Sequence, residues 1–256
     1  MDPPLALLAG TLANPTELKS LDQQAALVTG GSKGIGYGVA AALVRLGVDV
    51  AVTSRTRDEV EAAAKTLNDL GPGRALGIAC DVRNAAAQRA AVARATEDFG
   101  GLDIVVANAG VGHFAPIGEL TEDQWHQTLD INLTGVFHTV QATLPALRAS
   151  RGFLVTIASL AGTNFFAGGA AYNASKFGLV GFTQAVMLDV RGAGVRVSTI
   201  MPGSVATYFN GHVPDDADAW KIQPEDIGRL VVDLVRMPAR TLPSKVEVRP
   251  ARPAKS

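Results

Sequence analysis

Tyr172 and Lys176 have side chains and a spacing that suit proton transfer. They lie four residues apart in the run Tyr-Asn-Ala-Ser-Lys, so on a helix they share one face. A tyrosine has an ordinary pKa of ~10, and a base that works near neutral pH needs its phenolate stabilised by roughly 3–4 kcal/mol. One unit charge about 4 Å away supplies about 4 kcal/mol at an effective dielectric constant of about 20. The pair predicts a tyrosine acid/base, although alone it also suits an ordinary helix surface.

A second group of residues follows the ends of three apolar, strand-like runs. Ser159 ends the run Ile-Ala-Ser, where its hydroxyl could polarise a substrate carbonyl. Parallel sheets bind ligands at the carboxyl ends of their strands, so these positions predict a ligand site beside the Tyr172/Lys176 pair. The other residues at such ends are Asn108, Ala109, Gly110, Pro202 and Gly203.

A glycine-rich turn joins the first strand-like run to a helical segment. Its spacing is Gly30-x-x-x-Gly34-x-Gly36, which departs from the commoner dinucleotide pattern Gly-x-Gly-x-x-Gly. Glycines allow a tight turn, and the amides and positive end of the following helix stabilise a pyrophosphate. The turn predicts a dinucleotide site, with a turn that binds nothing as the alternative. The predicted contact residues are Gly30, Ser32, Lys33, Gly34, Ile35 and Gly36.

The end of the second strand-like run indicates which dinucleotide is bound. NAD-binding folds place an acidic residue there, whereas this chain has Ser54 and Arg55. Arg55 and Lys33 could form charge-assisted hydrogen bonds to a 2′-phosphate. NADP(H) is therefore predicted in preference to NAD(H), which stays possible because both cations also suit a solvated surface. Asp81 and Val82 follow the third run, where Asp81 could accept from the adenine amino group or serve as a turn cap.

Apolar runs alternate with segments of helical spacing along most of the chain. The predicted strands are 25–29, 49–53, 75–79, 104–107, 153–158, 195–200 and 242–248, and the predicted helices are 35–46, 58–70, 85–99, 122–149 and 173–191. This alternation predicts an α/β, single-domain Rossmann fold, a doubly wound parallel sheet of about seven strands with helices on both faces. Thr121 and Gln124 predict a capping box before helix 122–149, and Pro145 should distort its last turns.

The predicted organisation consists of an amino-terminal arm over 1–23, the Rossmann-fold domain over 24–250 and a tail over 251–256. Within the domain, residues 208–223 predict a short, acidic substrate lid and hence an open, adaptable pocket.

Composition favours a small-molecule ligand. The net charge is −1 and there is no basic block, which argues against nucleic acid or an anionic membrane as partner. Cys80 is the only cysteine, and the four histidines show no metal-ligand spacing, so neither an intrachain disulfide nor a metal site is predicted. An apolar run near the amino terminus is too short for a membrane span and lacks the basic flank of a signal peptide. We therefore expect a cytoplasmic protein.

Taken in order, these motifs resemble those of the classical short-chain dehydrogenase/reductase family, in particular its 3-oxoacyl-carrier-protein-reductase-like and tropinone-reductase-like members. The resemblance covers about residues 24–205. Besides the glycine turn, the matching residues are Asp81, Asn108, Ala109, Gly110, Asn132, Ser159, Tyr172, Lys176, Pro202 and Gly203.

The resemblance implies roles for the catalytic residues. Tyr172 would be the general acid/base, and Ser159 would orient the reacting oxygen. Lys176 would hold the nicotinamide ribose and lower the pKa of Tyr172. Asn132 would hold a water in the proton relay, whereas the sequence alone indicates a buried polar residue satisfied by backbone.

Further positions bear on cofactor binding, on contacts between subunits and on the substrate pocket. Thr207 resembles the family's carboxamide-contacting threonine, and Val205 is an expected neighbour of the cofactor. Ala107 replaces the first Asn of the family's Asn-Asn-Ala-Gly, and the carboxyl-terminal region lacks the frequent Asp-Gly-Gly, which puts the usual tetramer contacts there in doubt. Helices 122–149 and 173–191 could still pair in a homodimer or homotetramer. Aromatic and histidine residues expected at the pocket mouth are His113, Phe114, Phe165, Phe166, Tyr208 and Phe209.

The predicted activity is NADP(H)-dependent interconversion of a ketone or 3-oxo group and a secondary alcohol. A 3-oxoacyl thioester or a small or cyclic ketone would suit this chemistry. The alternatives are an NAD-preferring alcohol, steroid or sugar dehydrogenase of the same family and a non-catalytic, cofactor-binding regulatory protein. The residues do not identify the substrate.

Overall fold

Seven parallel strands form one sheet in the computed structural model, which describes residues 19–252. The strands are β1 Ala25–Thr29, β2 Asp49–Ser54, β3 Ala75–Ala79, β4 Ile104–Ala107, β5 Phe153–Ile157, β6 Arg196–Pro202 and β7 Lys245–Val248. They lie in the order β3-β2-β1-β4-β5-β6-β7, so the direction of winding reverses between β1 and β4. Open parallel sheets bind ligands at such a reversal, outside the carboxyl ends of the strands. The predicted Rossmann fold is confirmed.

Helices cover both faces of this sheet. They are α1 Gly34–Val44, α2 Arg57–Asn68, α3 Ala85–Phe99, α4 Glu122–Leu129, α5 Gly135–Ser150, α6 Ala170–Val190 and α7 Pro224–Arg236. One core cluster packs α1, α2 and α7 against the sheet, and a second packs α3, α5 and α6 against the opposite face. Ala26 and Val28 of β1 join the first cluster, whereas Leu27 between them joins the second. Because both faces of the sheet centre are buried, the central strands β1, β4 and β5 are mostly apolar runs.

The predicted helix 122–149 is two helices joined by a π-helical turn. Helix α4 ends at Leu129, the turn spans Asp130–Thr134, and α5 follows it directly. The Gly135 amide donates to the Asp130 carbonyl five residues back, which is the hydrogen bond that defines this wider turn. The turn carries the buried Asn132, and π-turns within helices often occur at functional sites.

Two smaller features of this region concern its ends. Thr121 and Gln124 form the capping box expected at the start of α4. Pro145 lies inside α5, which nevertheless continues as a helix to Ser150. The helix then stops at Arg151, which adopts a left-handed conformation.

Helix α7 is absent from the elements predicted above. Its start carries recognisable signals, since Pro224 occupies the first turn and Gln223 and Asp226 form a capping box. The helix packs closely on α1, where a Cβ at Gly228 would lie 2.5 Å from the Gly38 carbonyl oxygen. This contact fixes the end of the 208–223 segment beside the helix that follows the glycine turn.

The described chain begins inside the predicted amino-terminal arm. Leu21–Gln23 is a short 3₁₀ helix, and Lys19 pairs with Asp103 at 2.8 Å. Asp103 also accepts from the Ala25 amide of β1, so the last residues of the arm are fastened to the sheet. Residues 1–18 of the arm and 253–256 of the tail lie outside the described residues, and the boundaries of arm, domain and tail stay predictions. No helix within residues 19–252 is long and apolar enough to cross a bilayer.

Candidate active site

Three glycines of the turn after β1 occupy positions that exclude a side chain. Gly30 and Gly34 have φ angles of 64° and 58°, in the left-handed region that favours glycine. A Cβ at Gly36 would lie 2.3 Å from the Gly30 carbonyl oxygen. No side chain caps the first turn of α1, which begins in this loop. The amides of that turn can therefore bind an anionic ligand such as a pyrophosphate.

Asn108 ties the end of β4 to the glycine turn. Its side-chain amide donates to the carbonyl oxygens of Thr29 at 2.9 Å and Gly30 at 3.1 Å. In return the Thr29 hydroxyl accepts from the backbone amides of Asn108 and Ala109 at 3.0 and 3.1 Å. The two side-chain N–H groups of Asn108 are thus used to hold the turn. We interpret this predicted cofactor contact as a positioning residue whose side chain shapes the cofactor cavity.

A cavity of about 310 Å³ opens between the glycine turn, the ends of β2 and β3, and the loop after β4. Its wall contains most of the predicted cofactor residues and adds Glu59 of α2, which sequence patterns did not single out. Gly36 is buried beneath the turn and does not line the cavity. The predicted residues that line it are Gly30, Ser32, Lys33, Gly34, Ile35, Ser54, Arg55, Asp81, Val82, Asn108, Ala109, Gly110 and Thr207.

Charged groups of both signs surround the far end of this cavity. Arg55 and Lys33 are exposed and line it, as a 2′-phosphate site requires. Asp81 accepts from Arg83 at 2.6 Å, and this hydrogen bond, with a contribution from Arg55, lowers the pKa of Asp81. Asp81 is therefore an ionised acceptor at neutral pH. Glu59 adds a second carboxylate on the same side, which opposes the two cations.

Ser159 and Tyr172 meet at the carboxyl end of β5. Burial raises the pKa of the Tyr172 phenol, and a hydrogen bond with Ser159 partly offsets that effect. The Ser159 hydroxyl also accepts from the Ala161 amide at 3.1 Å, which fixes its position after the strand. A phenol with a raised pKa is protonated at neutral pH, so Tyr172 is set to donate its proton.

Lys176 lies buried on the same face of α6 as Tyr172. Its ammonium donates to the Ile157 carbonyl oxygen at 3.0 Å and stands 5.7 Å from the centre of the Tyr172 ring. Burial lowers the pKa of Lys176 to about 8. In this arrangement the ammonium is turned toward β5, and the lowering of the Tyr172 pKa by Lys176 that the family resemblance implies stays a prediction.

Asn132 of the π-helical turn is completely buried. Its side-chain amide donates to the Val111 carbonyl at 2.8 Å and to the Ser175 hydroxyl at 3.0 Å. Its side-chain oxygen accepts from the Val111 amide at 2.8 Å. Asn132 therefore fastens the loop after β4 to α6, the helix that carries Tyr172 and Lys176. The water that the family resemblance assigns to it stays a prediction.

A second cavity, of about 470 Å³, adjoins the first. Ser159, Tyr172 and Lys176 line it, together with the predicted cofactor residues Pro202, Gly203, Val205 and Thr207. The two cavities share three wall residues, which are Ile35, Thr207 and Phe209. The glycine turn and the catalytic side chains thus face one continuous cleft.

Aromatic rings surround Tyr172 at the mouth of this second cavity. Phe114 and Phe209 lie 5.4 and 5.6 Å from the Tyr172 ring, and Phe166 packs edge-on against Phe114 at 5.7 Å. Of the other expected mouth residues, Tyr208 lines the first cavity. Phe165 is 86% exposed and lines neither described cavity. His113 hydrogen-bonds Gln127 instead of facing a ligand.

The 208–223 segment is built around an ion cluster that sequence patterns did not predict. It forms two short 3₁₀ turns, Phe209–Gly211 and Asp216–Trp220, and its end pairs back with Val205 through Ile222. Asp218 is buried and contacts His212 and Lys221, each at 2.5 Å. These hydrogen bonds lower the pKa of Asp218 to about 2. The negative charge of this acidic segment is thus partly neutralised. The spacing of Asp215 and Asp218, which form a capping box, is the sequence signal that could have indicated this arrangement.

A family model described as short chain dehydrogenase matches residues 24–218. The chain belongs to the short-chain dehydrogenase family of oxidoreductases.

Curated relatives of this chain have different named activities. D-threitol dehydrogenase of Mycolicibacterium smegmatis is 42% identical over 194 residues, which cover 75% of this chain and 74% of that protein. The 3-oxoacyl-acyl-carrier-protein reductase FabG of Vibrio cholerae is 33% identical over 212 residues, with coverage of 82% and 85%. Glycine betaine reductase ATRR of Emericella nidulans is 33% identical over 248 residues, which cover 93% of this chain and 19% of that protein. The chain thus matches most of two relatives and a small part of the third.

Solved structures share the fold over most of both chains. An alcohol dehydrogenase from the archaeon Thermococcus sibiricus, complexed with 5-hydroxy-NADP, has a TM-score of 0.85 and 29% identity, covering 90% of this chain and 98% of that chain. A short chain dehydrogenase from Burkholderia cenocepacia, in complex with NADP, has a TM-score of 0.82 and 32% identity, with the same coverage. Both therefore provide similar folds in which an NADP-type molecule is bound.

Proposed function

We propose that the protein is an NADP(H)-dependent oxidoreductase that interconverts a ketone and a secondary alcohol. The observation that carries this proposal is the continuous cleft in which Ser159, Tyr172 and Lys176 face the glycine turn. A regulatory protein that had lost turnover would have no need for a paired phenol and hydroxyl beside a buried ammonium. All three groups are present here and line one wall.

The residues that would hold the cofactor follow the length of the cleft. The amides of the first α1 turn would bind the pyrophosphate, and Asp81 and Val82 would contact the adenine. Pro202, Gly203, Val205 and Thr207 would border the nicotinamide, which supplies or accepts the hydride when it is bound. The NADP-type ligands of the two solved structures support this arrangement.

Arg55 and Lys33 support a preference for NADP(H). Both are exposed cations on the wall where a 2′-phosphate would lie. An arginine guanidinium forms paired, charge-assisted hydrogen bonds to phosphate. The second candidate is an NAD-preferring enzyme, and Glu59 favours it, because a carboxylate there would repel a phosphate and could accept from a 2′-hydroxyl.

The acid/base work is assigned to the side chains at the end of β5. In reduction, Ser159 donates a hydrogen bond to the substrate oxygen, and Tyr172 transfers its proton to that oxygen as the carbonyl carbon is reduced. In oxidation, the phenolate of Tyr172 takes the proton back. Lys176 places a positive charge near the phenolate and so favours its formation. Asn132 keeps α6 and the loop after β4 in the register that this geometry needs.

The substrate is proposed at the level of a ketone with an apolar part. Phe114 and Phe209 give the catalytic cavity an aromatic lining, and Phe166 packs against Phe114. The relatives act, by their names, on a polyol and on an acyl-carrier-protein thioester, so a small ketone and a 3-oxoacyl thioester are both candidates. Exposed Phe137, Phe177 and Leu188 on α5 and α6 support pairing of these helices in a homodimer or homotetramer.

The test is oxidation of NADPH, followed by its absorbance, with acetoacetyl thioesters, cyclic ketones, steroids, quinones and sugars. The same panel is repeated with NADH. We expect turnover with at least one ketone and a higher kcat/KM with NADPH. Equal or better rates with NADH would support the NAD-preferring enzyme instead. Cofactor binding without any turnover in either direction would support the non-catalytic protein.

A further inference from the structure

The catalytic cavity has a basic wall that the proposed reaction does not use. Lys221 and His212, both from the 208–223 segment, line the cavity together with Tyr172 and Ser159. No Asp or Glu is among the described residues that line this cavity. A ligand in the cavity therefore meets two basic groups at a place distinct from the acid/base residues.

Asp218 holds these two groups without itself lining the cavity. Its carboxylate is 7% exposed, and its two oxygens contact Lys221 and His212 respectively. A lysine ammonium has three donors and an imidazole has two ring nitrogens. The only side-chain hydrogen-bond partner found for either group within residues 19–252 is Asp218. Further donors of Lys221 and the Nδ1 atom of His212 thus remain for a ligand.

The charge of the cluster indicates the kind of anion. Asp218 cancels the charge of Lys221, and His212 adds a charge only when it is protonated, so the net charge of the cluster is at most that of a single cation. A carboxylate is a monoanion with two acceptor oxygens, which matches this charge. A phosphate ester carries a charge of about −1.5 to −2 at neutral pH, which is more than this cluster can balance. The cluster therefore suits a carboxylate better than a phosphate.

The aromatic rings define what joins the carboxylate to the reacting carbonyl. Phe209 belongs to the same segment as His212 and lies 5.6 Å from the Tyr172 ring, and Phe114 lies 5.4 Å from that ring and 6.3 Å from the Phe209 ring. Both rings line the cavity together with the two basic groups. A substrate whose carbonyl meets Tyr172 and whose charged end meets Lys221 would place its middle part against these rings. That middle part should be hydrocarbon.

We propose that the substrate is an oxo-carboxylate or the corresponding hydroxy-carboxylate, with Lys221 and His212 as its carboxylate-binding residues. This inference rests on the proposed ketone reduction. In that reaction the carbonyl carbon gains a hydride, the oxygen gains a proton, and NADPH is oxidised to NADP⁺. The carboxylate is bound throughout and is chemically unchanged, so it contributes to selectivity and not to the acid/base step.

The experiment compares oxo-acids with their methyl esters. The probes are 4-oxopentanoate, 5-oxohexanoate and 7-oxooctanoate, each paired with its ester, and the measure is the acid-to-ester ratio of kcat/KM with NADPH. We expect a ratio above one for at least one chain length. In Lys221→Met that ratio should fall about tenfold, because one charge-assisted hydrogen bond is lost, while kcat/KM for the ester stays the same. Lys245→Met, at the exposed start of β7, is the matched control and should change neither.

Asp218→Asn separates ligand binding from a purely structural ion pair. It removes the negative charge that offsets the Lys221 ammonium, so the acid-to-ester ratio should rise in this variant. Equal losses for acid and ester in both Lys221→Met and Asp218→Asn would show a structural role and overturn the inference.

Two further outcomes distinguish failure of the carboxylate site from failure of the proposed function. Reduction of esters and neutral ketones with no preference for any acid would overturn the carboxylate site and leave the ketone reductase standing. No turnover of any ketone with NADPH or NADH would overturn both.

Discussion

The two ends of the cleft are built in different ways. At the cofactor end, the backbone itself forms the site, through left-handed glycines, uncapped amides and an asparagine that holds the turn. At the substrate end, a segment with little regular structure is held by one buried carboxylate between a lysine and a histidine. A backbone site tolerates few sequences, whereas a side-chain cluster can change its ligand by single substitutions. The comparison leads us to predict that cofactor binding depends on the first region and substrate selectivity on the second.

Of the changes that test this comparison of the two ends, filling the backbone site should have the largest effect. In Gly36→Ala the new Cβ would lie 2.3 Å from the Gly30 carbonyl and 2.6 Å from the Asn108 amide, so the turn must shift. We expect the Kd for NADPH to rise by about 100-fold or more, with a lower Tm, as for other strained backbone positions. Titration by nucleotide fluorescence measures this. Gly192→Ala, where a Cβ meets nothing within 4 Å, is the control. An unchanged Kd would show that the glycine turn does not hold the cofactor.

Removing the guanidinium at the 2′-phosphate position should have the next largest effect. In Arg55→Gln we expect the Kd for NADPH to rise by about tenfold or more, while the Kd for NADH changes little, because only NADPH carries the phosphate. Arg57→Gln is the neighbouring control, since Arg57 pairs with Glu61 and does not line the cavity. Parallel losses of both nucleotides in Arg55→Gln would remove the basis for NADP selectivity.

The pH dependence of reduction should report the buried lysine. Burial lowers the pKa of Lys176 to about 8, from an ordinary value of 10.5. The ammonium is therefore present below about pH 8 and is lost as the pH rises through that value. We expect kcat/KM to fall above about pH 8, by up to about tenfold per unit, and Lys176→Arg to shift or remove this fall if it folds. A flat profile up to pH 10 would contradict the role of the charge.

The smallest effect concerns the stability of the substrate end. The pKa of Asp218 is lowered to about 2 from an ordinary value of 3.8, so its ion pairs stabilise the fold fully above the ordinary value. That contribution is lost as the pH falls toward about 2. Asp218→Asn should therefore lower the free energy of unfolding slightly at pH 7, and the difference from the native protein should shrink below pH 4. Urea unfolding at pH 7, 4 and 3 measures it. A difference that is constant with pH would show that Asp218 acts by packing alone.

Sequence patterns predicted the features that depend on neighbours along the chain. The strand bounds of β1, β3 and β4 match, because buried parallel strands are short apolar runs. The glycine turn and the capping box at Thr121 are local signals as well. The site residues converge because parallel strands bring their carboxyl ends to one edge.

The features that were missed depend on contacts between distant residues. The π-helical turn at Asp130–Thr134 carries Asn132, whose partners Val111 and Ser175 lie 21 and 43 residues away. The Lys176 ammonium donates to the Ile157 carbonyl of β5, and the spacing of residues within α6 does not predict this contact. The pairing of Asp218 with His212 and Lys221 was not predicted, because ionisable residues that lie close together in a loop sequence are usually exposed to solvent. Helix α7 could have been predicted from Pro224 and the acidic residues after it.

The central claim is that Tyr172 transfers the proton to the substrate oxygen, while other residues of the cleft bind the cofactor. Its most direct measurement is Tyr172→Phe, with the Kd for NADPH and the rate of ketone reduction determined on the same preparation. Loss of the hydroxyl should leave the Kd within about twofold and lower kcat by about 100-fold to 10,000-fold, the usual contribution of a positioned acid. Near-native turnover in Tyr172→Phe would contradict the account, because a group other than Tyr172 would then have to protonate the substrate oxygen.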